Sequence, residues 1–288
     1  MLSIPPFELH SIVTGTLRLD GGAMFGVVPK VLWRSKVDVD EDNRILLATR
    51  TLLAVNRAAR QVIIVETGCG TKWKTEAKER FDVRFDAAAV DRALETHGYR
   101  REDVTDVVIT HLHFDHNGGL TEWAQQPGGP TRLSFPRARH WVHRGHWEHA
   151  GKPTPRDRAS FRQEDFGVLA DSPLLRLVDG NPPPPALEGV EWWVTQGHTP
   201  CQLLPLFGTG PQRLLFVGDT IPTVNHLPVA WVMAYDQLPV TTMSEKQRIY
   251  AQCHGSRLLL AFPHDPQYAA VELDPGTAHP IVARSLDM

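Results

Sequence analysis

Thiols, net charge and long apolar runs are all scarce in this chain. Three cysteines occur in 288 residues, Cys69, Cys201 and Cys253, without a CxxC pair. Neither a disulfide framework nor a thiolate metal cluster is therefore expected, and a reducing, cytoplasmic compartment fits. Lys and Arg number 30 against 33 Asp and Glu, a formal charge of −3. No broad field would gather a polyanion, so nucleic acid is not an expected partner. No apolar run approaches the ~20 residues that span a bilayer, and Met1 to Pro6 hold no basic segment leading into an apolar one. Neither an export signal nor a membrane anchor is expected, and no internal repeat is seen.

What remains is a chain of 42% hydrophobic and 22% charged residues, enough apolar material for a large core. A length of 288 residues permits two domains. The residues singled out below lie on both sides of the proline stretch Asn181 to Pro185, and one site must be assembled from both halves. A single domain over 1–288 is expected, with that stretch as a stiff surface loop.

Glu8 to Leu19 and Ile45 to Val55 are β-branched and aliphatic, separated by the turn residues Asp20-Gly21-Gly22, and read as an antiparallel opening. Gln61 to Glu66 is a nearly continuous apolar run closed by Thr67-Gly68-Cys69-Gly70, the pattern of a central strand buried on both faces. A helix is predicted from Asp86 to Gly98, then an interior strand over Val104 to Thr110. Thr242 to Glu245 has capping-box form and predicts a helix start, with the helix ending near Gly255 before a strand over Leu258 to Phe262. Further strands are predicted at Glu191 to Thr195, Leu203 to Phe207 and Leu214 to Val217. Strands outnumber helices and recur in meanders, so an α+β layered sandwich is favoured over a strictly alternating βαβ fold.

The 14 histidines carry the chemistry. Within Thr110 to Gly119 the string His111, His113, Asp115, His116 places four metal ligands in six residues, directly after a predicted buried strand. Three later segments share the order of apolar strand, Gly or Pro, then ligand: Gly197-His198-Thr199-Pro200, Gly218-Asp219-Thr220 and Pro263-His264-Asp265. Alone, each reads as a turn residue; their order after HxHxDH reverses that. Two divalent cations ~3.5–4 Å apart would lower the pKa of a bridging water and supply hydroxide near neutral pH. Asp115 would hold or relay its proton.

These motifs resemble the metallo-β-lactamase superfamily from the strand before Glu66 to Asp265. The resemblance implies an αββα sandwich of two mixed β-sheets flanked by helices, with the site along one edge. By it His111, His113 and His198 hold a first metal, Asp115, His116 and His264 a second, and Asp219 bridges them. Zinc is the expected ion, although such ligands also suit manganese, iron and cobalt. Glu66 stands where the family usually has Asp and is implied to support a ligand imidazole.

Asp219 at the bridging position separates the chain from zinc β-lactamases that use cysteine there. The segments Asp20 to Pro29 and Gly218 to Asp236 are similar to the quorum-quenching lactonase and methyl-parathion-hydrolase-like branch. That likeness implies lactone opening, N-acyl homoserine lactones foremost, with side activity on organophosphate esters. A phosphotriesterase, a glyoxalase-II-like thioesterase and a metal-stabilised binding or regulatory protein stay open as alternatives. Acyl-homoserine lactonases often carry a tyrosine three residues after the bridging Asp; Pro222 occupies that place here. His226 is then the candidate donor to substrate, an exposed loop histidine being the alternative. Met24, Phe25 and Phe114 are candidates for an apolar substrate wall; Trp33 reads equally as core. Cys201 departs from the family's GHTPG pattern and is read as a packing residue. His140, His143, His146 and His149 read as a surface or interface stripe rather than a further metal site. The expected partners are a small-molecule lactone or ester and a second copy of the chain in a homodimer.

Overall fold

The β-branched segments pair as their composition requires. In the computed structural model, which describes residues 1–180, 184–255, 257–274, 280–286 and 288, β1 (Leu2–Ile4) and β2 (Phe7–Asp20) open the chain. The short helices α1 (Gly21–Phe25) and α2 (Lys30–Trp33) follow, then β3 (Arg44–Asn56) and β4 (Gln61–Val65). These four strands form an antiparallel ladder. Next come α3 (Thr75–Arg80), β5 (Arg84–Phe85), α4 (Ala89–Thr96), β6 (Asp106–Val108) and α5 (Phe114–Asn117). The hairpin of β7 (Thr121–Trp123) and β8 (Thr131–Leu133) leads to β9 (Arg139–His143), α6 (Arg144–Gly151), α7 (Gln163–Phe166) and β10 (Leu175–Val178). β6, β9 and β10 extend the sheet beyond β4 in parallel, and β5 pairs with β2. The predicted interior strand after Val104 is thus shorter than its apolar run.

The second sheet runs β11 (Val190–Thr195), β12 (Gln202–Phe207), β13 (Gln212–Phe216), then, after α8 (Pro239–Gly255), β14 (Arg257–Ala261), β15 (Ala270–Leu273) and β16 (Val282–Leu286). Alternation along the strands sorts the apolar side chains into layers. Ile63 and Val65 pack against Leu203, Phe207 and Leu214 between the sheets. Val62 and Ile64 face Val90 and Leu94 of α4 on one outer side, and Leu204 and Leu215 face Ile249 and Cys253 of α8 on the other. This is the expected α+β sandwich of helix, sheet, sheet and helix.

Two local expectations change. α8 starts at Pro239 rather than after Thr242, because proline is preorganised for the first helical position. The Glu245 side chain, free of a capping role, instead accepts from the amides of Gln196 (2.6 Å) and Gly197 (3.1 Å). Residues 181–183 of the proline stretch lie outside the described residues. Among the described residues, no helix is long and apolar enough to cross a membrane.

Candidate metal centre

Parallel pairing of β4 with β6 and of β13 with β14 brings their C-terminal ends, and the loops that follow, to one edge of the sandwich. Glu66, residues 111–117, Asp219 and His264 all follow these ends, and His198 joins them from the end of β11. The close approach of the loops demands small residues. Gly70 has φ +64, and a Cβ there would run into the Gly118 carbonyl.

Two groups of three ligands result, His111, His113 and His198 in one and Asp115, His116 and His264 in the other. His113 Nδ1 and His198 Nε2 are 3.1 Å apart, and His116 Nε2 and His264 Nε2 3.0 Å. Asp219 lies between the groups. Its Oδ2 is 3.4 Å from His198 Nε2, while its Oδ1 is 3.3 Å from both His116 Nε2 and His264 Nε2. His111 Nε2 and Asp219 Oδ1 are buried yet take part in no hydrogen bond. Buried lone pairs converging without donors are costly unless a cation receives them, so the donor set fits metal ions.

Four of the five ligand rings are held from behind; the Nε2 of the fifth, His113, is buried with no hydrogen-bond partner among the described residues. Thr110 Oγ1 lies 2.9 Å from His111 Nδ1 and donates to Glu66 Oε1 at 2.6 Å. The same Glu66 oxygen is 2.9 Å from His116 Nδ1, an ion-pair distance, though out of line with the ring N–H. His198 Nδ1 meets Asp236 Oδ1 at 3.0 Å, and His264 Nδ1 donates to the Ala48 carbonyl at 2.8 Å. These contacts set tautomers and turn the opposite nitrogens to the centre. A third grouping, Glu66 with His111 and His116, is spatially possible, but Glu66 sits on the Nδ1 side of His116, away from Asp219.

Burial and the neighbouring imidazoles hold His111 and His113 well below the usual imidazole range. For His116 burial is outweighed by the carboxylates of Glu66, Asp219 and Asp115, which raise it well above that range. Asp219 goes the other way: the cost of burying it is outweighed by His116, His264 and His198, and its carboxyl is held well below the ordinary range.

Beside the centre lies a cavity of about 370 Å³, bordered by Asp115, Asp219 and His264 and walled by Met24, Phe114 and Met233. Phe25, expected in that wall, lies behind it. It is fully buried and stacked between Trp33 (5.0 Å) and His226 (4.8 Å), and Trp33 is core. His226 does not offer a ring nitrogen to the ligand cluster either. Its Nε2 lies 2.8 Å from the Met24 carbonyl, its Nδ1 2.8 Å from Thr223 Oγ1, and the ring is buried, so both nitrogens are engaged away from substrate.

The expected surface stripe is divided between β9 and α6, and His140 and His146 are fully buried. His146 ties the ligand loops together, accepting from the Leu112 amide at 2.8 Å and donating to the Pro200 carbonyl at 2.8 Å. Cys201 has φ +59, the left-handed conformation that the family's glycine adopts freely. Sequence reasoning gave no individual site role to Asp236, Glu245, Arg156 or Tyr235. Only their place in the fold, beside the ligand loops and the cavity, singles them out.

Residues 51–278 match the family model of the metallo-beta-lactamase superfamily. Among curated proteins, the chain is 30% identical over 140 residues to a hydroxyacylglutathione hydrolase of Methylobacterium nodulans, covering 49% of this chain and 42% of that protein. It is 30% identical over 134 residues to a probable metallo-hydrolase of Mycobacterium bovis, covering 46% and 36%. The match thus spans less than half the length of these curated relatives. Among solved structures, a probable metal-dependent hydrolase of Staphylococcus aureus superposes with TM-score 0.87 at 27% identity, over 99% of this chain and 100% of that one. The dizinc quorum-quenching lactonase AidC superposes with TM-score 0.78 at 17% identity, over 100% and 97%. With the ligand motif, the sandwich and a family match across most of its length, this chain belongs to the metallo-beta-lactamase superfamily.

Proposed function

We propose that the chain is a dinuclear metal-dependent hydrolase that opens lactones, N-acyl homoserine lactones foremost. The observation that carries this reading is Asp219, one oxygen toward each ligand group, at the side of a cavity whose wall is apolar. Two divalent cations, when bound, supply a water of lowered pKa and polarise the carbonyl under attack. Asp115 borders both the second ligand group and the cavity, where it is placed to hold the proton of an attacking water. Met24, Phe114 and Met233 offer apolar contact to an acyl chain and exclude water from the reacting face. The fold shared with a lactonase supports the substrate class, while the hydroxyacylglutathione hydrolase relative supports a thioester as the second reading.

A panel of lactones, phosphotriesters and thioesters assayed on one zinc-loaded preparation tests the choice. The expected result is a kcat/KM for the best lactone at least about tenfold above that of either other class, a difference of about 1.4 kcal/mol. A thioester or phosphotriester ranked first would replace the lactone reading while leaving the metallohydrolase assignment in place.

A further inference from the structure

The inner wall of the cavity is apolar, but its rim is not. Arg156 and Tyr235 both border it, from two different loops. The Arg156 guanidinium donates through Nη2 to the carbonyls of Ala234 and Asp236, the two residues that flank Tyr235. One short segment therefore anchors both groups. Arg156 is exposed and pairs with no carboxylate among the described residues, so Nε and Nη1 remain as charged donors. Asp157, a further carboxylate bordering the cavity, is occupied: it accepts from Thr154 Oγ1 and meets His149 Nε2, each at 2.6 Å. Burial and the nearby Asp20 and Asp115 push the Tyr235 phenol up to about 12, so it stays a donor at neutral pH. With two divalent cations bound, the centre would add to the same field, because the carboxylates of Asp115 and Asp219 would offset only half of their charge.

We infer that the rim formed by Arg156 and Tyr235 is a subsite for a carboxylate on the part of the substrate away from the bond that is cut. This rests on the hydrolase reading above and refines it, from plain acyl lactones or esters to those carrying a distal acid.

Binding rather than turnover tests it, so failure of the lactone assay and failure of this inference are read separately. Titration calorimetry on the zinc-loaded protein would compare straight-chain monocarboxylates, α,ω-dicarboxylates and the corresponding ω-amides, each from four to eight carbons. At one chain length the dicarboxylate is expected to bind about tenfold tighter than both others, the scale of a charge-assisted pair. Arg156→Gln should abolish that gain while keeping monocarboxylate affinity within about twofold; Arg156→Lys should recover part of it. Tyr235→Phe, which leaves the guanidinium anchor intact, should cost about threefold. An ω-amide that binds as tightly as the acid would overturn charge recognition. So would a gain that survives Arg156→Gln, or a loss of monocarboxylate binding in the same variant, which would make Arg156 only a clasp between loops.

Discussion

The Glu66 carboxylate lies 2.9 Å from Nδ1 of His116, on the side of the ring opposite the Nε2 that faces Asp219. Glu66 reaches this place from the end of β4 with φ +60, an uncommon backbone conformation for a side chain of its size. The same carboxylate accepts from Thr110, so it braces one ring from each ligand group. Glu66→Gln keeps the length and removes the charge. Metal affinity should fall about 10- to 100-fold, measured by competition with a chromophoric chelator. Unchanged affinity at both sites would mean that His116 is oriented by its backbone alone.

Asp219 is the shared anion of the proposed pair. Metal-replete protein should carry close to two equivalents by elemental analysis, and Asp219→Ala should lose at least one together with hydrolysis. Two metals retained in that variant with near-normal turnover would place the bridge elsewhere.

The ligands were legible because each follows a short apolar run that ends in glycine, proline or a polar turn, and strand ends of a parallel pair must share an edge. The layers were legible for a similar reason, since Gln61 to Val65 has no polar side to show to water. What local pattern could not carry was competition between neighbours. Thr242 to Glu245 looks like a helix start until Pro239 takes the first helical position, and Glu245 then serves the His198 loop. The triplet spacing from His140 to His149 suggests one helix, but the chain turns from β9 into α6 at His143 and Arg144, which sends His146 inward. Arg156 and the segment around Tyr235 are brought together only by tertiary structure, Arg156 standing 78 positions before Ala234, whose carbonyl it holds.

His146 should matter to folding as well as to the site. Removing its ring leaves the buried Leu112 amide and the half-buried Pro200 carbonyl without that partner, so His146→Ala should cost about 2–4 kcal/mol in urea unfolding of the metal-free protein. Burial lowers its pKa to about 3. Between the ordinary value of 6.5 and that value, the unfolded chain binds a proton that the folded one does not. Its contribution is therefore complete above 6.5 and drains away as pH falls toward 3. The slope, about 1.4 kcal/mol per pH unit for one proton, should drop by up to that amount in the variant. An equal slope in both proteins would show that other groups govern acid unfolding.

His226 offers the sharpest contrast between a loop histidine that acts on substrate and one that shapes the pocket. Its Nε2–H donates to the Met24 carbonyl, which leaves Nδ1 to accept from Thr223, and its face stacks on Phe25 at 4.8 Å. No donor is left for a developing oxyanion or leaving group. Burial also lowers its pKa to about 4, so it stays neutral through the working range of a metallohydrolase. His226→Ala should therefore act through the wall: KM for a long-acyl lactone rises several-fold as Met24 and Phe25 shift, kcat changes less, and the pH profile of kcat keeps its shape. His226→Gln, which can still donate to the Met24 carbonyl, should recover much of KM. A loss of about 100-fold in kcat with KM unchanged, or a missing limb in the pH profile, would instead put the imidazole among the reacting atoms and require the loop to rearrange when substrate binds.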